Sequence, residues 1–212
     1  MGSRALNVQV MNESTAPGPE QLGGRLPLLW PGSLDDPQHA LYTRLQATRI
    51  RSAQDGGYTA MLGDGRLIGP FNAMIRVPQI AGPMLDWAQA IASAGLPADV
   101  REVVILTVGG LWHSEYVLYA HTAAAARAGV PDAAIGALRR GETPRGLRAE
   151  ADAAHRLARA VIHDHEVPDD LYDQAIAILG TQTMITVLHL AGQYLTTSAV
   201  LACFQVPAPP AR

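Results

Sequence analysis

The feature that most limits how this chain can fold is a long uncharged segment near its C-terminal end. No Asp, Glu, Lys or Arg occurs from Gln174 through Ala211, and Met184 to Phe204 is long enough to cross a bilayer. A polar stripe at helical spacing interrupts the apolar run, however. It is formed by Thr186, His189, Gln193, Thr196 and Thr197. Such a stripe is typical of a core or subunit-interface helix that lines a cavity, so we do not expect membrane insertion.

Length and composition predict a single well-buried globular domain. The chain has 212 residues, of which 48% are hydrophobic and 17% are charged. The net charge of -3 gives no basic surface for nucleic acid or for an anionic membrane. The single cysteine, Cys203, excludes an intrachain disulfide and a Cys-rich metal site, which suits a cytoplasmic protein.

The remainder of the chain is predicted to be all-α, with Pro and Gly marking the ends of helices. Alternation of period two is essentially absent, so a sheet is not expected. Helices are predicted to begin at 35–37 and 97–99 and to cover 71–75, 79–94, 114–129, 131–140, 147–163, 168–179 and 182–204. We predict a flexible N-terminal tail over 1–30, one helical domain over 31–207 and a short tail over 208–212.

Two ionisable residues stand out in the middle of the chain. His121 shares a helix face with Ser114 and Val117, and a histidine can move a proton in either direction near neutral pH. Glu102 is followed by ten uncharged residues, so we expect it to be partly buried, and burial raises the pKa of a carboxylate. The structural alternatives are a core histidine, a first-turn glutamate paired with Arg101, and Ser114 as a helix N-cap.

The block from Leu96 to Val130 resembles the signature of the carboxymuconolactone decarboxylase and AhpD-like alkylhydroperoxidase superfamily. In the peroxidase branch this segment contains Cys-x-x-Cys-x-x-x-His, with a glutamate twelve residues before the first cysteine. Ser114 and Val117 occupy the two cysteine positions here, whereas Glu102 and His121 match the glutamate and the histidine. Because a serine cannot replace a thiol in redox chemistry, the departure disfavours a thiol peroxidase or disulfide reductase.

The resemblance extends over roughly 67–207 and implies an AhpD-like helical fold of about seven to eight helices. It implies a homo-oligomer, a trimer or a hexamer, with active sites near subunit contacts. The implied function is a cofactor-free acid/base enzyme that decarboxylates or isomerises a small cyclic acid, lactone or related carbonyl compound. A specialised or secondary-metabolic pathway would suit the long N-terminal segment and the glycine-rich insertion at 54–65. The alternative from another class is a non-catalytic helical oligomer that binds a small ligand or a partner protein.

The resemblance also suggests roles for individual residues. His121 would be the main acid/base group and Glu102 its partner, with Tyr116 and Ser114 as donors to a developing oxyanion. The candidate substrate-binding residues are Phe71, Asn72, Arg76 as a carboxylate anchor, His113, Glu115, His189 and Gln193. No metal is predicted, because the cluster of His163, Asp164, His165 and Glu166 lies at a helix end without a further ligand at a convincing spacing. No dinucleotide or phosphate-binding loop is present in the sequence.

Overall fold

The computed structural model describes residues 17–210, and within them the fold is all-α, as predicted. The only β pairing among these residues is an isolated bridge between Met61 and Leu67. The helices are α1 Asp36–Leu45, α2 Arg51–Gly56, α3 Pro70–Met74, α4 Pro78–Ser93, α5 Ala98–Leu111, α6 Glu115–Arg127, α7 Asp132–Arg139, α8 Ala149–Arg159 and α9 Asp169–Cys203. Two π-helical turns, Gln46–Ile50 between α1 and α2 and Ala160–Asp164 after α8, extend the neighbouring helices.

Local signals in the sequence explain several of these helix ends. Asp35 begins α1 with a capping box, because its carboxylate accepts from the Gln38 backbone N–H at 2.9 Å while its own N–H donates to the Gln38 side chain at 3.1 Å. Gly95 follows α4 with a φ of +81°, a conformation that glycine adopts without strain. Gly180 is non-helical inside α9, so the two helices predicted for this segment are confirmed, joined at a kink.

Helix α5 is the centre of the core. Its residues Glu102 through Gly110 are all buried, and α6, α7, α8 and α9 pack around it. Gly110 allows α7 to approach α5 closely, because a Cβ there would lie 1.9 Å from the carbonyl oxygen of Leu138. The pair Gly109-Gly110 therefore marks a place where another backbone approaches α5, without ending the helix.

The N-terminal segment from residue 17 onward is seated on the helical body. Leu22 and Leu28 are buried in the core, and the Arg25 backbone N–H donates to the carbonyl oxygen of Phe204 at 2.7 Å. This placement differs from the flexible tail predicted over 1–30, because two leucines in a Gly- and Pro-rich segment find apolar surface to cover. Residues 1–16 lie outside the described residues, as do 211–212.

Within the described chain one helix, α9, is long and apolar enough to cross a membrane by length and composition alone. Only 28% of its most apolar 18-residue stretch is buried inside the protein. Core helices of soluble proteins also reach this length and hydropathy. The polar residues predicted to form one stripe on α9 do not all face the same way. Gln193 and Thr197 face a cavity, whereas Thr196 and His189 are exposed.

Candidate functional site

A cavity of about 420 Å³ lies between the π turn that follows α1 and helices α2, α3, α4, α5, α6 and α9. This volume falls in the range of small-molecule binding sites. Much of its wall is apolar, including Phe71, Met74, Met84, Leu85, Ile91 and Leu96. Glu102, Tyr116, His121 and Gln193, four of the residues singled out in the sequence, line the same cavity.

A chain of hydrogen bonds connects Glu102, His121 and Tyr194 at the cavity wall. His121 Nδ1 lies 2.8 Å from Glu102 Oε2, and His121 Nε2 lies 3.0 Å from the Tyr194 hydroxyl. The other oxygen of Glu102 accepts from Arg101 Nε at 3.0 Å. Because a carboxylate only accepts, His121 Nδ1 carries the proton in this pair. In the neutral imidazole, Nε2 then accepts from the Tyr194 hydroxyl.

Glu102 is held in its ionised form. Only 3% of the residue is exposed, and this burial acts to raise its pKa. The hydrogen bond and charge of His121, together with those of Arg101, outweigh burial and leave the pKa of Glu102 below its ordinary value. The expected upward shift of the Glu102 pKa was therefore wrong, because it took account of burial and not of the hydrogen bonds from His121 and Arg101 that stabilise the carboxylate. Glu102 accordingly orients His121 and stabilises its protonated form.

Tyr194, the third residue of this hydrogen-bonded chain, was not predicted from the sequence as a site residue. Burial, and secondarily the negative charge of Glu102, raise the pKa of Tyr194 well above its ordinary value, so the phenol stays protonated and can donate. Its ring meets the His121 ring edge-on, with centroids 5.1 Å apart. The signal that could have found Tyr194 is its place on α9 beside Gln193 and before Thr197, both of which line the cavity.

Tyr116 lines the cavity, but its hydroxyl is engaged elsewhere. It donates to the Thr59 carbonyl at 2.8 Å, while the Tyr119 hydroxyl accepts from the Thr59 N–H at 2.9 Å. Burial raises the pKa of Tyr116 well above its usual range. The two tyrosines therefore attach the loop after α2 to α6. To act as the predicted oxyanion donor, Tyr116 would have to give up its bond to Thr59.

Ser114 stands at the N-terminal end of α6 but does not line the cavity. The residue is 6% exposed, and its hydroxyl has no hydrogen-bond partner among residues 17–210. It occupies the N-cap position without the side-chain bond that defines a cap. Val117, at the second position where the peroxidase branch has cysteine, does line the cavity.

Of the other predicted binding residues, Phe71 and Gln193 line the cavity, whereas Asn72 and Arg76 hold the N-terminal segment. The Asn72 amide donates to the Leu26 carbonyl at 3.0 Å and accepts from the Leu29 N–H at 3.3 Å. The Arg76 guanidinium donates to the Pro27 carbonyl, and burial lowers its pKa. Both side chains therefore have a structural use that the sequence did not indicate.

Three further candidates lie outside the cavity. His113 is exposed, with a φ of +48° at the turn between α5 and α6, and Glu115 is exposed in the first turn of α6. His189 is exposed on α9, where its Nδ1 accepts from Trp87 Nε1 at 3.3 Å. The structure also brings to the cavity three cations that were not predicted to bind substrate, Arg49, Arg101 and Arg127.

The structure offers no clear donor set for a metal in the part of the chain that it describes. No group of three or more His, Cys, Asp or Glu side chains is placed to hold an ion there. His163 instead pairs with Asp164, with 2.6 Å between Nδ1 and Oδ1, at the exposed end of the π turn after α8.

Comparison with known proteins identifies the central part of the chain. Residues 78–160 match the carboxymuconolactone decarboxylase family. This match confirms the resemblance seen in the sequence, and it contains both Glu102 and His121. Tyr194 and Arg49 lie outside the matched segment, so part of the cavity wall comes from elsewhere in the chain. No curated protein and no solved structure gives a significant match.

Proposed function

We propose that this protein is an acid/base enzyme of the carboxymuconolactone decarboxylase type that decarboxylates or isomerises a small acid, lactone or related carbonyl compound. The observation that supports this most directly is the hydrogen-bonded chain from Glu102 through His121 to Tyr194 at the wall of a largely apolar cavity. The side chains themselves supply a route for a proton, so proton transfer in this scheme requires no cofactor. The match to the family supports the class of reaction.

In the basic direction, the Tyr194 oxygen takes a proton from a carbon next to the substrate carbonyl. At the same time the Tyr194 hydroxyl proton passes to His121 Nε2, which produces an imidazolium ion. Glu102 stabilises this ion, because its carboxylate lies 2.8 Å from His121 Nδ1 and is ionised. The electron pair of the broken C–H bond becomes an enolate. Reversal of the same steps at a neighbouring carbon completes an isomerisation.

In a decarboxylation the same groups act in the acidic direction. Loss of carbon dioxide leaves the electron pair of the broken C–C bond on carbon, delocalised as an enolate. Tyr194 then gives its proton to that carbon and receives one from protonated His121 Nε2. The apolar wall favours this step, because an ionised carboxylate loses hydration there while its neutral product does not require it.

A turnover assay on cyclic β-keto acids and carboxylated lactones tests the proposal. His121→Gln removes the proton-accepting nitrogen, and we expect it to lower kcat by about a hundredfold or more while the far-UV circular dichroism stays unchanged. His39→Gln is the matched control, because His39 is exposed on α1 and does not line the cavity. Undiminished turnover by His121→Gln would refute the assigned mechanism.

A further inference from the structure

Arg49 reaches the cavity from an unusual piece of backbone. It lies in the π turn Gln46–Ile50, which joins α1 to α2, and its side chain is part of the cavity wall. A π turn widens the helix and redirects side chains, and such turns occur frequently at functional sites. The segment that matches the family begins at residue 78, so Arg49 is a contribution of this chain's own N-terminal helices.

The three arginines that line the cavity differ in what they bind. Arg101 is paired with Glu102 at 3.0 Å. Arg127 donates to a neutral acceptor, the Gly56 carbonyl, at 3.2 Å. Arg49 is half-buried, and no residue within 17–210 forms an ion pair or a hydrogen bond with it. A guanidinium that is partly removed from water without a counter-ion favours the binding of an anion.

The balance of charge in the cavity also favours the binding of an anion. Among residues 17–210, Glu102 is the one acidic residue in the wall, and Arg101 already neutralises it. Arg49 and Arg127 therefore remain as an excess of positive charge beside an apolar surface. Burial is the main cause of the raised pKa of Tyr194, and the positive charge of Arg49 opposes that rise, so Arg49 lies within electrostatic reach of the Tyr194 hydroxyl.

We propose that Arg49 binds the carboxylate of a small organic acid whose apolar body lies against Met84, Leu85 and Ile91. A guanidinium suits this role because its parallel N–H groups match the two oxygens of a carboxylate. Arg49 thereby takes the anchoring role that the sequence suggested for Arg76. The proposal rests on the proposed function in that it names the substrate class for the same cavity.

A binding measurement that does not depend on turnover tests whether Arg49 binds the carboxylate. The probes are phenylacetate and cyclohexanecarboxylate, each compared with its neutral amide by isothermal titration calorimetry. We expect the wild-type protein to bind the carboxylates at least about tenfold more tightly than the amides. Arg49→Gln should weaken carboxylate binding by about tenfold or more and leave amide binding unchanged, while Arg49→Lys recovers part of the loss. Arg51→Gln, which removes an exposed arginine two residues away, should bind like the wild type.

Several outcomes would overturn the assignment. They are equal binding of carboxylates and amides by the wild type, absence of saturable carboxylate binding, and undiminished carboxylate binding by Arg49→Gln. His121→Gln separates this question from catalysis, because we expect it to lose turnover and to keep carboxylate binding. Loss of binding in His121→Gln together with retention in Arg49→Gln would place the anion at the histidine and refute the role of Arg49.

Discussion

His155 is a buried titratable residue away from the proposed active site. Its Nδ1 lies 2.8 Å from the Thr107 hydroxyl, which itself donates to the Val103 carbonyl at 2.7 Å. Since the hydroxyl has only one proton to donate, His155 Nδ1 must be the donor in the first bond. His155 Nε2 is then a buried acceptor without a partner in the described part of the protein. Protonation of Nε2 would bury an unpaired charge.

This geometry predicts a loss of stability in mild acid. Burial lowers the pKa of His155 to about 4 in the folded protein, whereas the unfolded chain retains the ordinary value of 6.5. The unfolded state therefore binds the proton first, and stability present above about pH 6.5 is lost as the pH falls towards 4. Over the whole range, the free energy of unfolding falls by about 3 kcal/mol because of His155. Urea unfolding across this range measures it, and His155→Leu should flatten the dependence. An unchanged slope in His155→Leu would contradict the argument.

At the scale of the elements, Gly69, the residue before α3, packs against Tyr116 of α6. Its φ is +62°, and a Cβ added there would lie 2.2 Å from Cζ of Tyr116. Gly69→Ala should therefore displace the Tyr116 ring and its bond to Thr59, and lower the free energy of unfolding by about 1–3 kcal/mol. Gly82→Ala in α4 is the control, because nothing lies within 4 Å of its added Cβ. Thermal denaturation compares the two, and equal melting temperatures would contradict this account.

The sequence predicted the helices better than it predicted the site. Pro and Gly residues and charged caps such as Asp35 are local signals, so the helix ends fell within a few residues of the observed ones. Glu102 and His121 could be paired because they lie on successive helices and match a family pattern. Tyr194 and Arg49 could not be placed, because their positions at the cavity depend on how α9 and the π turn pack, which no local spacing encodes.

At the scale of the whole molecule, α9 presents apolar side chains to solvent. Ile185 is 51% exposed and Leu188 is 36% exposed, one turn apart on the same side of the helix. We propose that this side packs against a second copy of the chain, in keeping with the trimer or hexamer that the family resemblance implies. Ile185→Glu should then lower the mass measured by size-exclusion chromatography with light scattering. Thr196→Glu, an exposed change on the same helix, provides a comparison. A monomeric wild-type protein would contradict the proposal.

In the proposed mechanism, the hydrogen-bonded chain Glu102–His121–Tyr194 carries a proton to or from a substrate carbon. The most direct measurement is deuterium incorporation from D₂O into cyclic β-keto acids and carboxylated lactones or their products, followed by NMR. We expect the wild type and His39→Gln to place deuterium on the carbon next to the carbonyl, and His121→Gln and Tyr194→Phe to do so about a hundredfold more slowly. Incorporation at the wild-type rate in His121→Gln and Tyr194→Phe would contradict this mechanism.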